Sequence, residues 1–345
     1  MMKKSKIKIY LLLVTILFIF VLYFSLKDNY RDILNTLSNV NILFLLVGIL
    51  FVFLSKYLIA KTTYYLAKKE TNDVSMTKML EISLIYPFFA GITPSSVGGE
   101  SFEVFYLKQT GLPYGKSTNI SIQKFILYQI SLIIVNFLVV ILNLFTKIVP
   151  NNSLVIISVL LNFIVNGAIL GLCFLLVYNK KFNHFIMQKG VSFLHKIKVV
   201  KDIDKTREKI DNYLENFNEG ADKLRKDKKL FCKLIWINVL SLVFFYLSAW
   251  PIALSMNITN INFLNLFILA TYAKMMCLLI ITPGNSGAAE YCFIYLFSSL
   301  LEESSTTAYM LIWRVVTYYI PLIVGGVLAI TWGRGKKKNE ETNNI

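Results

Sequence analysis

Histidine is almost absent from this chain, and the two that occur, His184 and His195, lie in one polar stretch. A zinc centre therefore has next to nothing to be built from. Cysteine is scarce too. Cys173, Cys232, Cys277 and Cys292 form no C-x-x-C pair and sit in or beside apolar runs. They read as small buried hydrophobes, not as a disulfide framework. No G-x-x-x-x-G-K-[ST] loop occurs, which argues against direct use of ATP, and no cofactor is expected. Charge is also sparse: 16% of the 345 residues against 56% hydrophobic and 14% aromatic, where a soluble domain carries roughly 25% charged.

What is present instead is long apolar runs. Residues 9–26, 42–60, 125–146, 153–178, 234–254 and 307–332 are each long enough to cross a bilayer. The first follows a basic segment, MMKKSKIK, but no small-x-small cleavage site comes after it, so it reads as a retained span. The net charge of +16 is unevenly placed. Residues 1–8, 61–78, 108–118, 179–229 and 333–345 hold 28 of the 36 Lys and Arg, whereas 27–39, 147–152, 255–262 and 301–306 hold three. That alternation is the positive-inside pattern: it places both termini in the cytoplasm and excludes nucleic acid as the reason for the basic balance.

Two apolar stretches are broken. Residues 79–93 and 100–108 flank Pro94 and the Gly98-Gly99 pair, and 263–282 and 285–300 flank Pro283 and Gly284. The two pieces of the first pair are each too short to cross ~30 Å of hydrocarbon at 1.5 Å per residue, and the second pair is broken in the same way. The expected architecture is an all-α polytopic membrane protein with six full spans and two re-entrant, broken-helix hairpins. The domain is 1–332, with halves at about 40–146 and 231–332. Residues 179–229 form a cytosolic basic segment, and 333–345 a polar tail. Within 179–229, Ile203, Ile210, Leu214, Phe217, Ala221 and Leu224 recur at helical spacing, an amphipathic helix that either docks a partner or the membrane surface, or packs on the helix ends.

The hairpins repeat each other. Ile-Thr-Pro occurs at 92–94 and at 281–283. Small residues follow, Gly98-Gly99 and Gly287-Ala288-Ala289, and then Glu100 and Glu290. Twenty-four residues beyond each glutamate a cation stands in an apolar run, Lys124 and Arg314. The flanking spans run in opposite directions, which makes the halves an inverted-topology repeat of the kind found in secondary transporters. A helix beginning inside the membrane presents free N–H groups and a partial positive charge, able to hold a phosphate. Gly98 and Gly99 would let a head group approach the main chain. Glu100, Glu103, Glu290, Lys124, Lys274 and Arg314 each cost roughly 2.5–3.5 kcal/mol to insert unless they face a cavity or one another. Two readings follow: substrate contact, or ion pairs that fix each hairpin to its neighbouring helix. Lys56 and Lys233 read as snorkelling from helix ends.

ITPSSVGGESF (92–102), ITPGNSGAAEYCF (281–293) and RVVTYYIPLIVGG (314–326) resemble the flippase-like transmembrane region of the lysylphosphatidylglycerol synthases, over nearly the whole chain. Ser95-Ser96 and Lys124 depart from that pattern, where more glycine and an arginine are expected. The resemblance implies a multi-pass lipid translocase of the cell membrane, moving a phospholipid such as aminoacylated phosphatidylglycerol, a substrate linked in that family to antibiotic resistance. In the family a separate soluble domain makes the lipid; no such domain is expected here, so the chain reads as a transporter and not an enzyme. A separate lipid synthase or glycosyltransferase is an expected partner, and self-association another.

Two other classes compete. A scaffold for a separate synthase would suit the basic segment but does not require charges inside the membrane. An intramembrane serine protease is suggested by Gly284-Asn285-Ser286-Gly287, yet no histidine lies in any span to serve as its base.

Overall fold

The computed structural model describes residues 38–342 apart from 92, 94–96, 186–187, 190–202, 278–284 and 286. The expected span at 9–26, the Ile-Thr-Pro prolines Pro94 and Pro283, and Gly284 lie outside the described residues. Every regular element among those described is a helix.

Five helical segments are long and apolar enough to span a membrane. They correspond to the five remaining full spans read from the sequence. The first is α1, Ile42–Lys68. Helices α2, Met76–Gly91, and α3, Val97–Gln109, form the first hairpin. Helices α4, Tyr114–Thr146, and α5, Ser153–Tyr178, follow, and α6 spans Ile203–Lys226. The second half has α7, Lys228–Leu247, continued by the short α8, Ala249–Ser255. Its hairpin is α9, Phe263–Met276, with α10, Ala288–Phe297. It closes with α11, Glu303–Arg314, a π turn at Val315–Tyr319, and α12, Ile320–Thr342. Helix α12 runs on to Thr342, so the helix continues through most of the polar stretch from 333 onward.

The hairpin limbs measure about 24, 20, 21 and 15 Å at 1.5 Å per residue, so none crosses the ~30 Å core alone. The break in the first hairpin is narrower than expected, because Gly98 and Gly99 fall inside the first turn of α3.

The two halves run antiparallel. Along the α1–α7 seam, Phe51 packs on Phe244, Ser55 Oγ lies 2.9 Å from Ser241 Oγ, Thr62 Oγ1 accepts from Asn238 Nδ2 at 3.0 Å, and Lys233 stands over the Tyr65 ring. Rising numbers on one helix meet falling numbers on the other. Ser55 and Ser241 each lie thirteen residues beyond the first residue of their helix. The remaining contacts exchange in the same way: α2 packs on α12 as α9 packs on α4, and α4 packs on α7 as the π turn packs on α1. This is the inverted repeat that the two Glu-to-cation spacings indicate.

Small residues allow the closest crossings. A Cβ on Gly325 would lie 2.5 Å from the Leu84 carbonyl oxygen, and one on Gly326 3.1 Å from the Phe88 ring, so the Gly-Gly of α12 is where it meets α2. Gly115 of α4 does the same for α6, with a Cβ 2.5 Å from the Tyr213 carbonyl. The amphipathic helix is thus occupied by its own chain. Leu214, Phe217, Ala221 and Leu224 are buried, and Asn119 and Gln123 of α4 donate to the Phe217 and Gly220 carbonyls at 2.8 and 3.1 Å. Glu70 ties both elements down, accepting Lys116 at 3.2 Å and Lys223 at 2.9 Å. A hydrogen bond from Lys223, with Lys116 nearby, holds the neighbouring Glu219 carboxyl below its usual range.

The thiols partly follow expectation. Cys277 and Cys292 are buried and Cys173 is half-buried, but Cys232 is exposed.

Candidate functional site

The charged residues singled out in the sequence assemble into two clusters, one in each half. In the first, Lys124 of α4 reaches across to α3. Its Nζ lies 2.5 Å from Glu103 Oε2 and 3.6 Å from Glu100 Oε2. Ser121, one turn earlier, offers its hydroxyl to both carboxylates, at 2.8 Å from Glu100 Oε2 and 3.0 Å from Glu103 Oε2. Tyr86 of α2 donates to Glu100 Oε1 at 3.0 Å, and the Lys124 ammonium stands 4.6 Å from its ring centroid. Two carboxylates therefore share one cation. The closer partner of Lys124 is Glu103, a turn beyond the Glu100 that the repeat singles out, and the side chain of Glu103 is only 3% exposed against 30% for Glu100.

In the second cluster Arg314 Nε donates to Glu290 Oε1 at 2.8 Å, with both side chains buried. The other carboxylate oxygen, Oε2, accepts the Gly287 N–H at 2.7 Å, so Glu290 closes the start of α10 from the third position of its own helix. Gly287 has φ +84°, a conformation that suits glycine. The guanidinium lies over Tyr318 at 4.2 Å.

The reading of Gly98 and Gly99 as an opening for a head group needs correction. A Cβ on Gly98 would fall 2.4 Å from Thr93 Cγ2, and one on Gly99 2.7 Å from the Tyr86 ring. The space is filled by the other limb of the same hairpin. The Gly98 N–H is also taken, by Thr93 Oγ1 at 3.0 Å. These glycines let α2 and α3 touch, as Phe89 stacking on Phe102 also shows.

An open space lies elsewhere. A cavity of about 190 Å³ sits between the halves, lined from α1 by Ser55 and Lys56, from α2 by Tyr86 and Gly91, from α4 by Tyr128, and from α7 by Tyr246. The second half supplies Lys274, Asn285, Arg314, Thr317 and Tyr318. Lys274, near the C-terminal end of an apolar α9, is exposed because its side chain faces this space. Lys56 faces it as well, which corrects the snorkelling reading: the residue lies in mid-helix at the α1–α7 seam, next to Ser55. Three cations line one cavity, and among the described residues no Asp or Glu lines it. Arg314 has its carboxylate in Glu290, whereas no described carboxylate pairs with Lys56 or Lys274.

The structure thus brings Lys274 and Arg314 to the cavity directly and Glu290 one contact away. Glu100, Glu103 and Lys124 stand behind Tyr86, which touches both cluster and cavity. The sequence reading missed Lys56, Tyr128 and Tyr318. A signal for the tyrosines was there: each cation of the repeat is followed four residues later by a tyrosine, Lys124–Tyr128 and Arg314–Tyr318. Thr317 and Tyr318, three and four residues beyond Arg314, share its cavity face, and the turn that carries them, Val315–Tyr319, is π.

Residues 9–325 match the family described as "Lysylphosphatidylglycerol synthase TM region". The chain belongs to that family. It is also 27% identical over 263 residues to a "UPF0104 membrane protein" of Archaeoglobus fulgidus, a match covering 74% of this chain and 76% of that protein. The family match takes in both hairpins, both charge clusters and all the cavity-lining residues. The chain is a multi-pass membrane protein of the lysylphosphatidylglycerol synthase transmembrane-region family.

Proposed function

We propose that the chain is a lipid translocase of the cell membrane that takes a phosphate-bearing head group into the central cavity and passes it between leaflets. The observation that carries this is the cavity itself. Three cations converge on it from α1, α9 and α11, with no carboxylate among its described lining residues, at the meeting of two inverted halves. Arg314 is matched by Glu290, but Lys56 and Lys274 pair with no described carboxylate, and such charges in apolar surroundings are expensive unless an anion enters beside them. Arginine and lysine with tyrosine hydroxyls provide donors for phosphate oxygens. The neighbouring cluster, with Glu100 and Glu103 against Lys124 alone, offers the complementary charge for an amine on the same head group, which fits the aminoacylated phosphatidylglycerol of the family's name.

Binding tests this first. Short-chain phosphatidylglycerol is expected to bind the detergent-purified protein, and the matching diacylglycerol, which lacks phosphate, is not. Lys56→Gln with Lys274→Gln should weaken phosphatidylglycerol about tenfold or more, since each charge-assisted contact contributes about 1.5–3 kcal/mol. Equal binding of both lipids would overturn the proposal.

We place both termini in the cytoplasm, on the strength of the basic loops. In a background without the native cysteines, an impermeant thiol reagent added outside cells should label cysteines placed in 255–262 and 301–306. It should not label 108–118 or 179–229. External labelling of 108–118 would invert the orientation.

We also propose that the chain moves lipid and does not make it, because the family match is to the transmembrane region. Membranes containing only this protein, supplied with charged tRNA, should form no new aminoacyl lipid. Robust lipid aminoacylation by the purified chain would refute that separation.

A further inference from the structure

We propose that a second lipid site lies outside the central cavity, where the C-terminal end of α5 meets the junction of α6 and α7, and that it holds an anionic phospholipid by its phosphate. A pocket of about 360 Å³ opens there, lined by Phe174, Tyr178, Leu224, Arg225, Lys228 and Phe231. Its two parts differ in chemistry. Phe174 and Tyr178 stack at 5.3 Å and with Leu224 and Phe231 form an apolar wall, while Arg225 and Lys228 are exposed at its edge.

The charge on that edge is uncompensated. The two nearest carboxylates in sequence are already engaged: Asp222 accepts Lys180 at 2.9 Å, and Asp227 accepts Lys69 at 2.5 Å together with the Leu230 N–H at 3.0 Å. No described carboxylate pairs with Arg225 or Lys228. A site with two free cations above an aromatic floor fits a phosphate joined to an acyl chain better than it fits a free ion.

The path for the chain is visible. Helix α5 packs little against the rest of the protein and exposes Ile157, Leu160, Leu161, Ile164, Leu172 and Leu175. This apolar surface leads along the helix to Phe174 and Tyr178 at the pocket. A lipid standing beside α5 would place its tails on that surface and its phosphate between Arg225 and Lys228. Basic pockets between spanning helices at the cytoplasmic side hold anionic head groups in this way. Such a lipid would also tie the docked α6 to the bilayer, independently of whether the central cavity transports.

The test is native mass spectrometry of the full chain released from nanodiscs containing phosphatidylglycerol and phosphatidylcholine, with Arg225→Gln/Lys228→Gln compared against Lys226→Gln/Lys229→Gln. The second pair removes the same charge from exposed neighbours that do not line the pocket. The expected result is a retained phosphatidylglycerol adduct, unaffected by added inorganic phosphate, that falls on the order of tenfold in the first variant and little in the second. Lys56→Gln/Lys274→Gln should leave this adduct in place, which separates it from the central cavity. Equal loss in both surface variants, equal retention of phosphatidylcholine, or displacement by inorganic phosphate would each overturn the proposal. Both variants are at exposed positions, and co-elution with the parent protein on size exclusion checks that they are folded.

Discussion

Replacing Lys124 with Gln is expected to abolish accumulation of folded protein. The substitution leaves Glu103 buried, with Glu100 beside it and only Ser121 and Tyr86 to share between them. Breaking a buried pair by removing one partner costs about 3–5 kcal/mol, because the remaining charge is stranded away from water. A protein typically has about 5–15 kcal/mol of stability in total. Adding Glu103→Gln to Lys124→Gln should restore most of the loss, since the stranded buried charge is removed and Glu100 keeps Tyr86 and Ser121. The measurement is the yield of monodisperse protein on size exclusion in detergent, with the thermal midpoint of the recovered fraction. A Lys124→Gln protein with parental yield and midpoint would show that the cluster does not hold α3 to α4.

The Glu290–Arg314 pair separates structure from transport more finely, because Arg314 also lines the cavity. A charge swap, Glu290→Arg with Arg314→Glu, keeps a pair but puts a carboxylate where the cavity has a guanidinium. Folding should survive better than in either single variant, and lipid movement should not.

Much of this architecture is legible in the sequence because membranes narrow the choices. A span must be long, apolar and helical, so five of the six runs can be checked against described helices and each is one. The inverted repeat is legible for a different reason. Charges inside a bilayer are costly enough that two equal Glu-to-cation spacings stand out, and both pairs form, with Glu103 added to the first. What is not legible is direction. Nothing in the sequence around Lys56 says whether the side chain turns up toward water or inward toward a seam; the antiparallel packing of α1 on α7 decides it. Gly98 and Gly99 misled for the same reason. A glycine pair beside a proline suits both a ligand's approach and a close helix crossing, and the limb carrying Tyr86 and Thr93 fills the space. The π turn has no simple signal at all, since Val315 and Val316 suit an ordinary helix end equally well.

Lys56→Gln with Lys274→Gln is expected to stop transport and spare the fold. Neither lysine pairs with a described carboxylate, so neutralising both strands no described partner. It also relieves mutual repulsion within the cavity, so yield and thermal midpoint should equal or exceed those of the parent. Transport should fall by tenfold or more, in line with charged contacts of about 1.5–3 kcal/mol each. The direct measurement is leaflet-resolved exchange of a phosphate-bearing lipid in proteoliposomes, normalised to folded protein and compared between the parent chain and this double variant. A parent that moves lipid well above protein-free vesicles, with a folded double variant near that baseline, is the predicted result; equal movement by the two would contradict the central claim.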